Sequence, residues 1–146
     1  MISAIVTVHN KADRIGDCLK SIYSQDVKLE LIVVDDGSTD GSPDLIEYHR
    51  LYINYLIQND DPTGACAARN AGAKLATGEY VIFIDGDMVM EPKSLVHMSK
   101  ILDYSPLVDF VYGDYRRAGN FKSPWEKNIF KSKKFNVTDL CRSNYI

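Results

Sequence analysis

Cysteine is scarce. The chain holds three, Cys18, Cys66 and Cys141, an odd and widely spaced set that matches neither a disulfide framework nor a zinc-ligand spacing. No apolar run approaches the ~18 residues that a membrane-spanning helix needs. The N-terminus opens on a strand-like stretch with neither a basic region nor a cleavage site, so no secretory signal is expected. Internal repeats and low-complexity tracts are also lacking. With 45% hydrophobic and 25% charged residues, the 146-residue chain is neither disordered nor fibrous. One ordinary domain in a reducing, cytoplasmic setting is the expectation.

Charge is unevenly shared. Residues 1–115 carry 9 Lys and Arg against 18 Asp and Glu, whereas residues 116–146 carry 8 against 2. Phe121, Trp125, Phe130 and Phe135 are interleaved with that basic run. The plainer reading is a solvated segment folded back on an acidic body, with no nucleic-acid partner. Such a run could also touch nucleic acid, anionic lipid at the inner face of a membrane, or a phosphorylated ligand.

Strand and helix signals alternate over residues 1–115. Ile2–Val8 is apolar and β-branched, and Asn10 is a candidate helix cap with Asp13 three positions on. Ile15, Cys18, Leu19, Ile22 and Tyr23 then recur at helical spacing. Residues 30–34 form a second apolar run, followed by Asp35-Asp36-Gly37-Ser38-Thr39-Asp40. Ser42 and Pro43 read as cap and first position of another helix. A third strand is expected over 53–57, an alanine-rich helix over 64–75, a fourth strand over 79–84 and a fifth over 108–115. Between the last two, Glu91-Pro92 opens a helix with Leu95, Met98 and Leu102 on one face. Past residue 116 the pattern weakens to loop plus one short helix near 125–134.

Such alternation, with nearly continuous apolar strands, predicts an α/β fold: a mainly parallel sheet with helices on both faces. Right-handed crossovers bring all carboxyl ends to one edge, where open sheets bind ligands. Thr7, Val8 and His9, Asp35 and Asp36, and Asp85 and Asp87 are all expected there. Two carboxylates 4 Å apart repel by about 4 kcal/mol at an effective dielectric near 20. A cation or hydrogen-bond donors must therefore occupy the cluster. Hard oxygens without a His/Cys set favour Mg²⁺ or Mn²⁺ completed by substrate phosphates. Each Asp-Gly step taken alone could simply turn the chain; two at strand ends of one sheet favour function. Arg69 either reaches a phosphate or carboxylate in the crevice or forms a structural salt bridge. His49 and His97 read as ordinary helical residues, and Cys66 as small-residue packing.

Three runs carry a resemblance: residues 3–11, residues 18–25, and Glu30-Leu31-Ile32-Val33-Val34-Asp35-Asp36-Gly37-Ser38-Thr39-Asp40. Ala68-Arg69-Asn70-Ala71-Gly72 and the run from Gly78 to Asp85-Gly86-Asp87 extend it. Together these resemble the inverting family-2 glycosyltransferases of the GT-A fold over about residues 1–115. The resemblance implies a nucleotide-sugar donor site. Thr7, Val8 and His9 would line the base and ribose pocket, and Asp36 would hydrogen-bond the uracil of a uridine-diphosphate sugar. Asp85 and Asp87 would form the DXD motif, on ribose and on Mn²⁺ or Mg²⁺, with Arg69 near the donor. The implied acceptor is a glycan or lipid-linked hydroxyl in polysaccharide biosynthesis.

The resemblance also implies an acidic general base, often in a Glu-Asp pair beyond the DXD motif. After Tyr115 the acids are Glu126 and Asp139, and neither is so paired. The expectation is a 1–115 donor-binding core followed by residues 116–146 of a longer catalytic domain. A binding module lacking the base is the alternative. A haloacid-dehalogenase-type phosphatase would need its Asp-x-Asp on the first strand, whereas here four elements precede Asp85.

Overall fold

The computed structural model describes residues 1–114 and the backbone of two short strands, 115–116 and 129–130. Four parallel strands, β1 (Ile2–Val8), β2 (Leu29–Asp36), β3 (Tyr55–Asn59) and β4 (Tyr80–Asp85), form one sheet in the order β3-β2-β1-β4. The central pair, β1 and β2, is buried almost throughout, as continuous apolar strands require when both faces are covered. Helix α1 (Ile15–Tyr23) supplies Ile15, Cys18, Leu19 and Ile22 to a core with Ala4, Val6, Val8, Leu31, Val33 and Ile84. Helix α3 (Ala65–Ala73) lies against the opposite face. A Cβ on Gly72 would fall 2.5 Å from Ile5 Cγ2, so only glycine lets that helix sit so close to the sheet. Helix α2 (Ser42–Tyr48), a 3₁₀ turn at Arg50–Tyr52 and helix α4 (Ser94–Tyr104) complete the described helices.

The chain divides into a compact unit over Met1–Ser99 and a second over Lys100–Ile146, the division falling within α4. In the second unit, β5 (Tyr115–Arg116) pairs antiparallel with β6 (Ile129–Phe130). The fifth strand expected over 108–115 is not formed: only Tyr115 of that run enters a ladder. A β-branched, apolar run becomes a strand only where a neighbour completes its hydrogen bonds. The helix expected near 125–134 lies outside the described residues except at Ile129–Phe130, which is strand. No helix among the described residues is long and apolar enough to cross a membrane.

Local signals are displaced in three places. Asn10 does not cap α1: it has a φ of 53°, and α1 begins five residues later without a side-chain cap. Ser42 is the first residue of α2 rather than its cap, Gly41 taking that position. Lys93, at a φ of 65°, delays α4 to Ser94, because left-handed backbone cannot continue into a right-handed helix.

Candidate functional site at the carboxyl edge of the sheet

Strand order reverses at β1: β2 and β3 lie to one side, β4 to the other. The carboxyl end of such a reversal leaves an open crevice. Registry decides what faces it. Thr7 pairs with Asp85 across β1 and β4, and with Val34 across β1 and β2. Paired residues of parallel strands share a face, and the side-chain period is two. Thr7, Asp85 and Asp36 therefore lie on the face that α3 covers. On α3, Ala65 and Arg69 are one turn apart and point to the same side. The result is a cleft of about 220 Å³ lined by Thr7, Val8, His9, Asp36, Arg69, Asp85 and Asp87. Lys11, Ala65, Ala68 and Gly86 complete it. The seven residues that the resemblance assigns to the donor site line this one cleft; of those expected at the edge, one does not.

Asp35 is not among them. It pairs with Val8, on the opposite face from Thr7, and its Oδ1 accepts the backbone N–H of Ser38 at 3.1 Å. The adjacent Asp36 is buried and holds the loop that enters α3. Its Oδ1 accepts from Asn59 Nδ2 (2.8 Å), Thr63 N (2.8 Å) and Thr63 Oγ1 (2.7 Å), and its Oδ2 from Gly64 N (2.8 Å). Burial opposes the charge, but donors from Thr63, Asn59 and Gly64 outweigh it and lower the pKa to about 2. Asp36 is thus a fixed anion, with one oxygen bearing a single protein donor.

His9 Nδ1 lies 2.8 Å from the carbonyl oxygen of Asp36. A carbonyl only accepts, so Nδ1 carries the proton and Nε2 accepts from Asn10 Nδ2 at 3.2 Å. The loop after β1 is then stitched to the Ser38–Ser42 turn. Asn10 N donates to Ser38 Oγ, and Thr39 N to Asn10 Oδ1. Lys11 N donates to Ser42 Oγ, and Ala12 N to Asp40 Oδ2. The Ser-Thr-Asp half of the β2 motif is a scaffold for the first loop.

The two carboxylates at the end of β4 and just beyond it, Asp85 and Asp87, are half exposed, and each meets a cation. Arg69 donates to Asp85 Oδ1 at 2.6 Å, and Lys11 Nζ to Asp87 Oδ2 at 2.7 Å. The hydrogen bond to Asp87, partly offset by burial, raises the Lys11 pKa, so the ammonium is retained. Gly86 separates the two acids because a Cβ there would lie 2.9 Å from Val8 Cγ2, with Thr7 O at 3.2 Å. Gly86 N donates to Thr7 O at 2.9 Å, which fixes the turn against the end of β1.

The donor set suits one kind of metal ion. Asp85 and Asp87 offer hard oxygens, and no group of three or more His, Cys, Asp or Glu among the described residues is arranged to hold an ion. Two carboxylates with open remaining positions fit Mg²⁺ or Mn²⁺ shared with substrate phosphates. Among the described residues, neither cysteine lines the cleft. Cys18 is buried, which pushes its thiol pKa up to about 12, and Cys66 is exposed on α3 rather than packed within it. His49 packs beside Tyr23 and Tyr48, away from the cleft.

Lys11, Asn59, Thr63 and Gly64 were not expected from the sequence. Lys11 stands three residues beyond β1 on the binding edge, and Asn59 is the registry partner of Asp36; those were the available signals.

Comparison with known proteins gives a consistent result. The chain is 38% identical over 93 residues to the putative glycosyltransferase EpsH of Bacillus subtilis, which covers 62% of this chain and 27% of that protein. It is 36% identical over 101 residues to a poly(ribitol-phosphate) beta-glucosyltransferase of Bacillus spizizenii, covering 65% and 16%. Among solved structures, S. aureus TarS 1–349 in complex with UDP-GlcNAc matches with a TM-score of 0.64 and 32% identity, over 70% of this chain and 31% of that one. Mannosyltransferase PcManGT from Pyrobaculum calidifontis, in complex with GDP-Man and Mn²⁺, matches with a TM-score of 0.67 and 30% identity, over 80% and 35%. The chain spans about a quarter of the length of EpsH. The parallel sheet, its carboxyl-edge cleft and these likenesses agree on a GT-A-type α/β fold. The family model described as glycosyl transferase family 2 matches residues 3–144, and the chain belongs to that family.

Proposed function

We propose that this chain binds a nucleotide-diphosphate sugar, with uridine as the base, as the donor side of a metal-dependent, inverting glycosyltransferase of glycan biosynthesis. The observation that carries the reading is the convergence of Asp36, Thr7, Asp85 and Asp87 on one cleft at the strand-order reversal. Asp36 Oδ2, with Gly64 N as its one protein donor, has lone-pair capacity for the imide N–H of uracil. Val8 and His9 supply the adjoining wall, and the Nδ1–H of His9 is committed to Asp36 O, which holds the ring in place. Asp85 takes the ribose side and, with Asp87, the metal; Arg69 is the cation beside the diphosphate. When bound, the ion offsets the negative charge that develops on the leaving diphosphate. The protein's part is a prearranged, rigid anion set around that position.

Inversion also requires a base for the acceptor hydroxyl. Since Asp36, Asp85 and Asp87 all serve the donor, the base is assigned outside this cleft. Glu126 and Asp139 lie outside the described residues. The acceptor is a glycan or lipid-linked hydroxyl. The proposed setting is cytoplasmic.

Calorimetric titration of UDP with and without Mn²⁺, on the chain and on Asp87→Ala, tests the donor site. Metal-dependent binding that the substitution abolishes is expected. Binding of GDP but not UDP would overturn the uridine assignment, and no binding of either with any divalent metal would overturn the donor site itself.

A further inference from the structure

Lys11 is the one cleft cation that comes from the first loop, and it is placed unlike Arg69. Its backbone N–H is anchored on Ser42 Oγ at 2.8 Å, while its ammonium reaches across to Asp87 Oδ2 at 2.7 Å. Both side chains of that pair are about two-fifths exposed, 40% and 42%. An exposed pair of this kind is weakly held and readily exchanged. Yet Asp87 is the acid that the metal must use, and two positive groups cannot share one carboxylate without mutual repulsion.

On the reading of the site as a metal-assisted diphosphate site, we propose that Lys11 is an exchangeable counter-charge. It holds Asp87 in the empty cleft and moves onto the diphosphate when the ion takes Asp87. The four-carbon stem on a fixed backbone allows the transfer without moving the loop, since Ser42 Oγ and Asp40 Oδ2 keep the Lys11 and Ala12 amides. The consequence is coupling. Metal alone must displace an ammonium, whereas metal with diphosphate supplies that ammonium a new anion, so the two ligands bind better together than apart. Arg69 differs in its anchor: it stands on helix α3 and pairs with Asp85, whereas Lys11 reaches Asp87 from the first loop. Lys11 is therefore a ligand-positioning residue that also penalises unproductive metal binding.

The test compares the chain with Lys11→Met, which keeps the stem and removes the charge, and with Lys11→Arg, which keeps the charge. Mn²⁺ binding alone is read by the paramagnetic signal of free Mn²⁺, and UDP binding in saturating Mn²⁺ by calorimetry. Lys11→Met should bind Mn²⁺ alone about two- to fivefold more tightly, the range of an exposed ion pair. It should bind UDP in Mn²⁺ roughly tenfold or more weakly, as loss of a charge-assisted hydrogen bond requires. Lys11→Arg should restore most of both effects. Opposite movement of the two affinities is the signature that a merely structural lysine would not give. Both affinities unchanged, or both weakened, in Lys11→Met overturns the exchange while the parent's UDP binding leaves the donor site standing. Absence of UDP binding by the parent chain overturns the donor site, and the exchange with it.

Discussion

Strand β2 carries a buried carboxylate near each end, and the two ends of the sheet treat theirs differently. Near the amino end, Glu30 Oε2 accepts from Ser3 Oγ and from Thr77 N at 2.9 Å, and Oε1 from Thr77 Oγ1 at 2.7 Å. Gly78 N in turn donates to Ser3 Oγ at 2.8 Å. Every partner is short and fixed to a strand or a tight turn. At the carboxyl end, Asp36 is likewise held by short donors, but it opens onto a cleft where, among the described residues, the long arms of Arg69 and Lys11 hold Asp85 and Asp87. A carboxylate enclosed by backbone and hydroxyl donors away from any cleft, as Glu30 is, belongs to the fold, whereas Asp36 keeps one oxygen toward the cleft. A carboxylate satisfied by a mobile cation is available to a ligand.

The comparison breaks hardest at Glu30. Glu30→Ala takes the acceptor from the buried Ser3 hydroxyl and from the N–H and hydroxyl of the exposed Thr77, and should cost about 2 kcal/mol. Denaturant unfolding measures it, and UDP binding by the folded fraction should be unchanged. Asp87→Ala should do the reverse. Its unfolding free energy should stay within about 1 kcal/mol of the parent, because an exposed ion pair contributes little. Metal-dependent UDP affinity should fall by roughly a hundredfold or more, as expected when a charge-assisted contact to the ligand is removed. If Asp87→Ala lowers stability as Glu30→Ala does, the carboxyl edge is structural too.

Acid sharpens the same contrast. The folded-state pKa of Asp36 is depressed to about 2, while an unfolded Asp titrates near ~3.9. The carboxylate therefore favours the folded state above about pH 4, and that contribution is lost as pH falls through about 2. The shift corresponds to roughly 2 kcal/mol. Asp36→Asn should flatten the stability profile between about pH 4 and pH 2, measured by unfolding midpoints. A profile as steep as the parent's would mean that another group carries the acid transition.

Much of this edge was legible in the sequence, for a simple reason. Four apolar runs separated by helical spacing admit one arrangement, a parallel sheet, and that arrangement dictates where every strand ends. Thr7, His9, Asp36, Arg69, Asp85 and Asp87 follow from it together with the motif. What was hidden depends on registry and tertiary partners. Asp35 and Asp36 are neighbours, and only the period of two sends one into a turn and the other to the cleft. Asn10 has the chemistry of a helix cap, yet a distant turn, through Ser38 and Thr39, claims its amide and side chain. The run 108–115 has strand composition, but composition supplies no neighbour to pair with.

The mildest effect lies between the two kinds of carboxylate. Asp40 is exposed, yet it joins loops: Oδ2 accepts from Ala12 N at 3.0 Å and Oδ1 from Ser42 N at 2.9 Å. The bond to Ser42, against a smaller burial penalty, lowers its pKa, which keeps both oxygens available as acceptors. Asp40→Ala frees the Ala12 amide and that of the buried Ser42, and because the side chain removed is exposed the cost should be about 1 kcal/mol, like a lost helix cap. Faster hydrogen exchange at Ala12 and Ser42, with Glu30-linked Thr77 unaffected, would localise that loss. Because Ala12 follows Lys11, the same substitution should weaken UDP binding a few-fold by loosening the anchor of the lysine. A change in exchange at Thr77 instead would show that the two edges of the sheet are energetically one unit, and the division between them would fall.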